Sequence, residues 1–369
     1  MFKQFFALFI LSVSLFSQSV DDQYFEKNGE VYFRFPVFDK RELLEITKII
    51  SIDKFDGKFV TAYANKEQFR NFEKNGYKSE VLPPPGDVQV AMGNPKALGL
   101  WDTYPTYETY VQMLNDLALD YPNLCRIVDA GTTTQGRKIL FAVISDNVNT
   151  TEAEPRFMHS SSIHGDETAA FVNMIRLADY LLSNYGVDPL VTTLVNNLEI
   201  WINPLANPDG TYRSGNSTVT GARRGNANNI DINRNFPDPV QGQHPDGYAW
   251  QPETQIMMNL ANSRNFNLSA NYHGGAEVVN YPWDSRIARH PDDNWWQVIS
   301  RRYADTVHFY CSNNGYLSDL NNGITNGWDW YSVYGGRQDF FSFFRYGREL
   351  TIELSNTKLI AGSYIPTIW

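Results

Sequence analysis

A histidine and a glutamate stand three residues apart in the segment SSIHGDETAAF, at His164 and Glu167. Imidazole nitrogen and carboxylate oxygen both bind Zn²⁺, and a catalytic zinc takes three protein ligands and keeps a fourth position for water. The pair alone is a weak signal, because a glutamate at a helix start beside an ordinary histidine gives the same spacing. A third ligand elsewhere in the chain would favour the metal site.

His273 is the best candidate for that third ligand among the six histidines of the chain. It ends the apolar run FNLSANYH, and two glycines follow it, which would let backbone and ligand approach closely. His159 lies on the same predicted strand as His164 and is expected to be packed or to support a ligand. The others are expected to face solvent or to be structural: His244, His290 and His308. One zinc ion bound by His164, Glu167 and His273 is therefore predicted.

Two further stretches carry polar groups that could act on a substrate. NNIDINRNFPDP places Asp231, Asn233 and Arg234 in one short segment, and ELTIELSN places Glu353 in an otherwise apolar strand. A lone glutamate in a buried strand is costly unless it is paired or functional. A salt-bridged residue on an edge strand is the alternative interpretation of Glu353.

The elements that must position these residues alternate along the second part of the chain. Apolar runs such as KILFAVIS, PRFMHSSSI and LEIWINPL are separated by helical patterns, one of which is expected to begin at Glu167 and to continue over 168–185. This alternation predicts an α/β fold with a mixed, mostly parallel sheet covered by helices on both faces. In such sheets ligands bind beyond the carboxyl ends of strands, which is where His164 and His273 fall.

The chain divides into four segments. Residues 1–19 combine a basic start, an apolar run and small residues suited to cleavage, which predicts an export signal and a secreted or periplasmic protein. Residues 20–82 predict a small α/β module with strands at EVYFRFPV, GKFVTAYA and SEVL and helices at KRELLEITKII and KEQFRNFEKNG. Residues 83–97 lack periodicity and are interpreted as a linker. Residues 98–369 form the large domain.

Composition excludes several classes of protein. A net charge of −10 gives no electrostatic basis for binding nucleic acid, and it suits cationic substrates. A membrane anchor is the alternative for the first apolar run, but that run is shorter than the ~20 residues that span a bilayer. After signal removal no membrane span is expected.

Cys125 and Cys311 could form one disulfide bridge or remain separate thiols, and separate thiols are favoured.

Five motifs in order give the chain a resemblance to the zinc carboxypeptidases, and more closely to the subfamily of carboxypeptidases D, E, M and N. The resemblance covers roughly 98–369. The motifs are H-x-x-E at 164–167, RRGNANNIDINRNFPD, NYHGG, NGWDWYSVYGGRQDF and TIEL.

The resemblance implies roles for individual residues. His164, Glu167 and His273 match the zinc ligands, and Asp231 matches the carboxylate that orients a ligand imidazole. Glu353 matches the general base. The remaining matches concern the substrate: Arg224, with its neighbour Arg223 as the alternative in register, polarises the scissile carbonyl; Asn233 and Arg234 clamp the terminal carboxylate; and Tyr331 closes over it.

The expected reaction is therefore zinc-dependent removal of the C-terminal residue from peptides and proteins, with the last residue being Arg or Lys. Asp284, eleven residues after His273, matches the aspartate at the pocket floor of basic-specific members, and Gln338 could add a neutral hydrogen bond to the same cation. Asp284 could instead cap its turn or pair with Arg286. A peptidoglycan carboxypeptidase or amidase of the same fold, and a non-catalytic peptide-binding relative, are the alternative functions.

Two departures from the subfamily concern the ends of the chain. Its members usually carry a transthyretin-like domain after the catalytic domain, whereas this sequence stops at YIPTIW, which suggests a truncated chain. The module at 20–82 loosely resembles the prosegments of other zinc carboxypeptidases. Whether it inhibits, assists folding or is cleaved off is left open by the sequence, as is the oligomeric state.

Overall fold

The computed structural model describes residues 20–97, 99–311, 313 and 315–369. The predicted export signal at 1–19 lies outside these residues. Within the described part of the chain, no helix is both long enough and apolar enough to cross a membrane. Cys125 and Cys311 are both free thiols.

The N-terminal module, residues 20–82, is a four-stranded antiparallel sheet with short helices. Its strands are β1 (Glu30–Pro36), β2 (Ser51–Phe55), β3 (Phe59–Asn65) and β4 (Glu80–Leu82), in the spatial order β2-β3-β1-β4. Its helices are α1 (Asp22–Asn28), α2 (Leu43–Ile46), which a 3₁₀ turn at Lys40–Glu42 precedes, and α3 (Lys66–Lys74). Aromatic side chains fill a separate core between sheet and helices, including Phe33, Phe35, Phe69 and Phe72.

Two features of the module differ from the sequence prediction. The helix expected over KRELLEITKII is reduced to the 3₁₀ turn and the four residues of α2. Strand β2 was not predicted, since SIDKF is short and mixes charged with apolar residues. This omission matters, because β2 is the part of the module that enters the site described below.

The large domain begins with α4 (Tyr107–Asp120), β5 (Cys125–Thr132), β6 (Lys138–Ile144) and β7 (Arg156–Ser161). There follow α5 (Phe171–Asn184), α6 (Pro189–Val195), β8 (Glu199–Asn203), α7 (Pro208–Thr211), a 3₁₀ turn (Ile232–Arg234) and α8 (Pro252–Ser263). The last part comprises β9 (Leu268–His273), β10 (Ala276–Tyr281), α9 (Asp293–Tyr310), α10 (Asp319–Gly323), β11 (Ile324–Asn326), α11 (Gly327–Trp330), α12 (Arg337–Phe344), β12 (Glu349–Ser355) and a 3₁₀ segment (Gly362–Ile368).

These strands form one mixed sheet of eight strands in the order β11-β10-β12-β9-β7-β8-β6-β5. The centre is parallel, with β12, β9, β7 and β8 paired in the same direction, while β5, β6 and β10 contribute antiparallel pairs. Two apolar cores, built around residues such as Phe171 and Trp296 in one and Phe141 and Trp201 in the other, cover the sheet. The predicted α/β architecture is confirmed.

The linker, 83–97, packs against the large domain. The Gly86 carbonyl accepts a hydrogen bond from Gly221 N at 2.7 Å, and a Cβ on Gly86 would lie 1.9 Å from the Ala222 carbonyl oxygen. Further along, Gly93 N donates to Tyr104 O and Tyr104 N donates to Ala91 O. The linker is therefore docked beside the segment that carries Arg224.

Candidate active site

The three predicted metal ligands meet at the carboxyl edge of the parallel centre of the sheet. His164 and Glu167 lie in the loop after β7, and His273 is the last residue of β9, the neighbouring strand. One potential ligand atom from each lies within 4.8 Å of the others, and all three residues are about 3% exposed. Glu167 precedes its helix rather than beginning it, because α5 starts at Phe171.

The donor atoms of this trio suit zinc. His164 Nδ1 and His273 Nδ1 lie 2.9 and 2.7 Å from the two carboxylate oxygens of Glu167. The approach of His164 Nδ1 to Glu167 lacks the geometry of a hydrogen bond, so this buried nitrogen has no hydrogen-bond partner among the described residues. Two nitrogens and a carboxylate, with ligand atoms within 4.8 Å of one another, match the donor set of a catalytic zinc site.

The far side of each imidazole is held by a polar partner. His164 Nε2 lies 3.0 Å from Asp231 Oδ1, and His273 Nε2 lies 2.8 Å from the Asn271 amide nitrogen. Asn271 Oδ1 has no partner in the described structure, so exchanging its amide oxygen and nitrogen lets Nε2–H donate to oxygen. Both rings are then oriented with Nδ1 free to bind a metal.

Glu353 stands beside the trio on the adjoining strand. It is the register partner of His273 in the parallel pair β12–β9, and it lines the same cavity. Its Oε2 atom is buried without a hydrogen-bond partner among the described residues. Burial, together with the charge of Glu167, raises the pKa of Glu353 well above its usual range. A carboxyl group of this kind takes up a proton readily.

Arg224 is the arginine that the structure brings to the site. Its Nε donates to Asp231 Oδ2 at 2.9 Å, and its Nη1 donates to Glu167 Oε1 at 3.1 Å. The neighbouring Arg223 instead donates to Asp87 and Asn28, away from the cavity. Of the two arginines, Arg224 is therefore the one whose side chain lines the cavity.

The predicted carboxylate clamp lies in the 3₁₀ turn and across from it. Asn233 Oδ1 accepts a hydrogen bond from Arg337 N at 2.9 Å, which leaves its amide nitrogen free to donate elsewhere. Arg234 and Tyr331 line the cavity together with Asn233. A guanidinium and a side-chain amide that share a wall can bind a carboxylate through several donors.

Asp284 lies in the same cavity and is about 5% exposed. Its Oδ1 accepts hydrogen bonds from Asn280 Nδ2 and Gln338 Nε2, both at 3.0 Å. Gln338 Oε1 accepts from Thr351 N, so its amide orients Asp284 and does not extend past it to a substrate. Burial, with Asp339 as the neighbouring charge, raises the pKa of Asp284 well above its usual range.

Arg286, the alternative partner predicted for Asp284, contacts aromatic rings instead. Its guanidinium stacks over the rings of Trp283 and Phe343, 4.9 Å from each centroid. Among the described residues, Asp284 accepts hydrogen bonds from two side-chain amides and forms no ion pair with Arg286. Burial favours the neutral form of this carboxyl group, and a cationic ligand in the cavity would favour its charged form instead.

Strand β2 of the N-terminal module also enters the site, and sequence reasoning did not anticipate it. The Ile52 carbonyl accepts a hydrogen bond from Arg234 Nη2 at 2.9 Å, and the Asp53 carbonyl accepts from Tyr331 Oη at 3.2 Å. The Ser51 hydroxyl donates to Asp231 and accepts from Arg224 Nε. The module thus forms hydrogen bonds with side chains that are predicted to bind a substrate.

Lys358 also belongs to this site, and the sequence analysis did not predict it. Its ammonium lies 2.7 Å from Glu167 Oε1 and 2.6 Å from Asp53 Oδ1, with only 4% of the side chain exposed. It follows β12 in the segment SNTKLI, where a lone lysine gives no local signal of burial. Its position depends on the fold of the loop after Glu353.

Four further hydrogen bonds attach the module around the site. Tyr63 Oη donates to Asp166 Oδ2 at 2.7 Å, and Thr47 Oγ1 donates to the Ser332 carbonyl at 2.9 Å. Glu30 accepts from the backbone nitrogens of Arg224 and Gly225, and burial raises the pKa of Glu30 to about 7. The cavity left beneath the module is about 40 Å³, which is room for a few waters and not for a peptide.

Comparison with known proteins identifies the family. Residues 110–369 match the zinc carboxypeptidase family, peptidase M14, and the chain belongs to it. It is 33% identical over 279 residues to carboxypeptidase SOL1 of Arabidopsis thaliana, an alignment that covers 74% of this chain and 54% of that protein. It is 37% identical over 280 residues to carboxypeptidase D of Homo sapiens, covering 72% of this chain and 20% of that protein. The chain thus spans about half of the plant relative and a fifth of the human one.

Solved structures show the same fold at lower identity. Carboxypeptidase A from Helicoverpa armigera aligns with a TM-score of 0.68 at 17% identity, covering 92% of this chain and 94% of that one. Thrombin activatable fibrinolysis inhibitor aligns with a TM-score of 0.66 at 14% identity over the same shares. Because residues 98–369 are less than three quarters of the chain, these alignments also include much of the N-terminal module.

Proposed function

We propose that this protein is a zinc-dependent exopeptidase that removes a C-terminal Arg or Lys from peptides and proteins. The observation that carries the proposal is one cavity that contains the ligand trio, Glu353, the Asn233–Arg234 pair and the buried, unpaired carboxylate of Asp284. Membership of the zinc carboxypeptidase family supports the reaction class. The pocket-floor carboxylate supports the basic specificity.

Zinc held by His164, Glu167 and His273 would acidify a water molecule and draw electrons from the scissile carbonyl. Glu353 takes the proton of the attacking water and afterwards delivers it to the leaving amine. Arg224 donates to the carbonyl oxygen as negative charge develops there. For this to happen, the Arg224 guanidinium must turn part of its hydrogen bonding from Glu167 towards the substrate.

Recognition of the chain end follows from the clamp. Arg234 and the Asn233 amide bind the terminal carboxylate, and Tyr331 donates a further hydrogen bond from the opposite side. A free carboxylate one residue beyond the attacked bond is required, so cleavage is confined to the last residue. Asp284 then pairs with the cationic side chain of that residue in a site closed to water, where such a pair gains more than at the surface.

We further propose that residues 20–82 keep the chain latent. In the described structure Arg234 and Tyr331 donate hydrogen bonds to carbonyl oxygens of β2, as they would to a substrate. A substrate must displace these bonds before it can bind. Cleavage in the exposed part of the linker, at 87–89, followed by release of the module, would open the cavity.

The test uses the zinc-loaded full chain before and after limited proteolysis of the linker, with peptides that differ only in their last residue. The proposal expects low activity before cleavage, and afterwards release of Arg or Lys far faster than of Leu or Phe. Preference for diaminopimelate-ending muropeptides would instead support a peptidoglycan enzyme. No release of any C-terminal residue in either state would contradict the proposal.

A further inference from the structure

We propose that Asp53, a residue of the N-terminal module, is a positioning residue for the metal ion of the large domain. It acts by neutralising two cations that contact the predicted ligand Glu167. This inference rests on the proposed function only in requiring zinc at the trio. It differs from latency, because it concerns affinity for the metal and not access of substrate.

The contacts form a short buried chain of charges. Lys358 Nζ and Arg224 Nη1 lie 2.7 and 3.1 Å from the same Glu167 oxygen, Oε1. Asp53 Oδ1 lies 2.6 Å from Lys358 Nζ and 3.5 Å from Arg224 Nη1. The side chains of all four residues are between 3 and 7% exposed, so water screens these charges little.

Two cations on a ligand carboxylate oppose metal binding in two ways. They compete with the ion for electron density on Glu167, and they repel a doubly positive ion a few ångströms away. Asp53 supplies a negative charge at the point where both cations can share it. Without the Asp53 charge, the positive charges of Lys358 and Arg224 would be less neutralised, and their repulsion of the metal ion would be stronger.

Strand β2 also reaches a second predicted metal ligand, through Ser51, two residues before Asp53. The Ser51 hydroxyl donates to Asp231, and Asp231 Oδ1 is the partner that orients His164 through Nε2. Two of the three predicted ligands therefore have partners that contact the module. Because coupling between two binding equilibria is reciprocal, zinc should also strengthen docking of the module.

The test measures zinc affinity directly, on the full chain, by competition with a chromophoric chelator. Asp53→Asn should weaken zinc binding by about 10-fold or more, as is typical when an outer partner of a metal ligand is lost. Asp56→Asn removes the same charge from an exposed site in the same module and should leave the affinity unchanged. Thr47→Val removes one neutral docking hydrogen bond without a change of charge, and it should lower zinc affinity far less than Asp53→Asn does.

A second background separates the electrostatic role from simple undocking. In a Lys358→Met chain one of the two cations is gone, so Asp53→Asn should cost clearly less zinc affinity than in the unsubstituted chain. Equal costs in both backgrounds, or equal losses in Asp53→Asn and Thr47→Val, would overturn the inference. If the unsubstituted chain binds no stoichiometric zinc, the proposed function itself fails. If it binds zinc tightly and Asp53→Asn changes nothing, only this inference fails.

Discussion

Arg234 donates from Nη2 to the carbonyl oxygen of Ile52 at 2.9 Å, a bond between the predicted carboxylate clamp and the backbone of the N-terminal module. Because the acceptor is a main-chain atom, no side-chain substitution at Ile52 removes it. The module therefore holds the clamp by the path of its backbone, and only displacement of β2 as a whole frees Arg234. A test of latency must therefore displace the module and cannot rely on a side-chain substitution at Ile52.

Loosening the linker should raise the basal activity of the full chain. A Gly86→Val side chain would collide with the Ala222 backbone, where a Cβ would already lie 1.9 Å from the carbonyl oxygen. A docking loss of about 1.4 kcal/mol would raise the open fraction, and hence the basal rate, about tenfold. Gly57→Asn, at an open hairpin position with positive φ, is the matched control. Unchanged rates in a Gly86→Val chain whose module has loosened would contradict latency.

Removal of the metal should abolish the activity, and zinc should restore it. His273→Ala should lower zinc affinity by more than the roughly 10- to 100-fold typical of an outer partner, because it removes a predicted ligand. The exposed His244→Ala chain serves as the control. Metal content and peptidase rate are measured on the same samples. A His273→Ala chain that keeps both would disprove the assigned trio.

Glu353→Gln should separate the base from the ligands. The amide cannot take a proton, so turnover should fall by ~10² or more while zinc stays bound. Peptide binding can be followed by equilibrium dialysis after cleavage of the linker. Loss of zinc from this variant would instead make Glu353 a ligand.

Asp284→Asn should reverse the preference for a basic last residue. Leaving the substrate cation unpaired should cost about 2–5 kcal/mol in kcat/KM for Arg-ending and Lys-ending peptides. Leu-ending peptides, which bring no charge to the pocket, should be affected little and provide the internal control. A uniform loss on all peptides would mean that Asp284 acts on the fold of its turn and not on specificity.

Part of this site could be predicted from sequence. His164 and His273 follow from the rule that parallel strands present their carboxyl ends at one edge, and Glu353 was singled out as a lone acidic residue in an apolar strand. The structure brings all three together. Lys358 and Asp53 could not be predicted in this way. Their position depends on how a loop closes and how a separate module docks, and both are tertiary effects that leave no periodic pattern.

Stability should fall in mild acid partly through His159. Its ring packs against Phe157 and Tyr272, and burial lowers the pKa of His159 to about 4 from 6.5. The unfolded chain then binds the proton more readily, so this contribution is complete above pH 6.5 and is lost as the pH falls towards 4. The loss should reach roughly 2–3 kcal/mol.

The measurement compares urea unfolding of the unsubstituted, His159→Gln and His244→Gln chains at several pH values, with the metal chelated. The unsubstituted and His244→Gln chains should share the acid-dependent loss, because His244 is exposed. The His159→Gln chain should lose less stability over the same range. Parallel curves for all three would show that His159 does not carry the effect.

The register of β12 against β9 has a consequence for how this protein can change. Glu353 and His273 are opposed partners on adjacent strands, so the spacing between the proposed base and the proposed ligand is set by the repeat of the sheet. Asp284 and Tyr331 lie outside the strands, in the connections after β10 and α11. If these residues have the proposed roles, mutation of the connections can change which C-terminal side chain is accepted while the spacing between the proposed base and ligand stays constant.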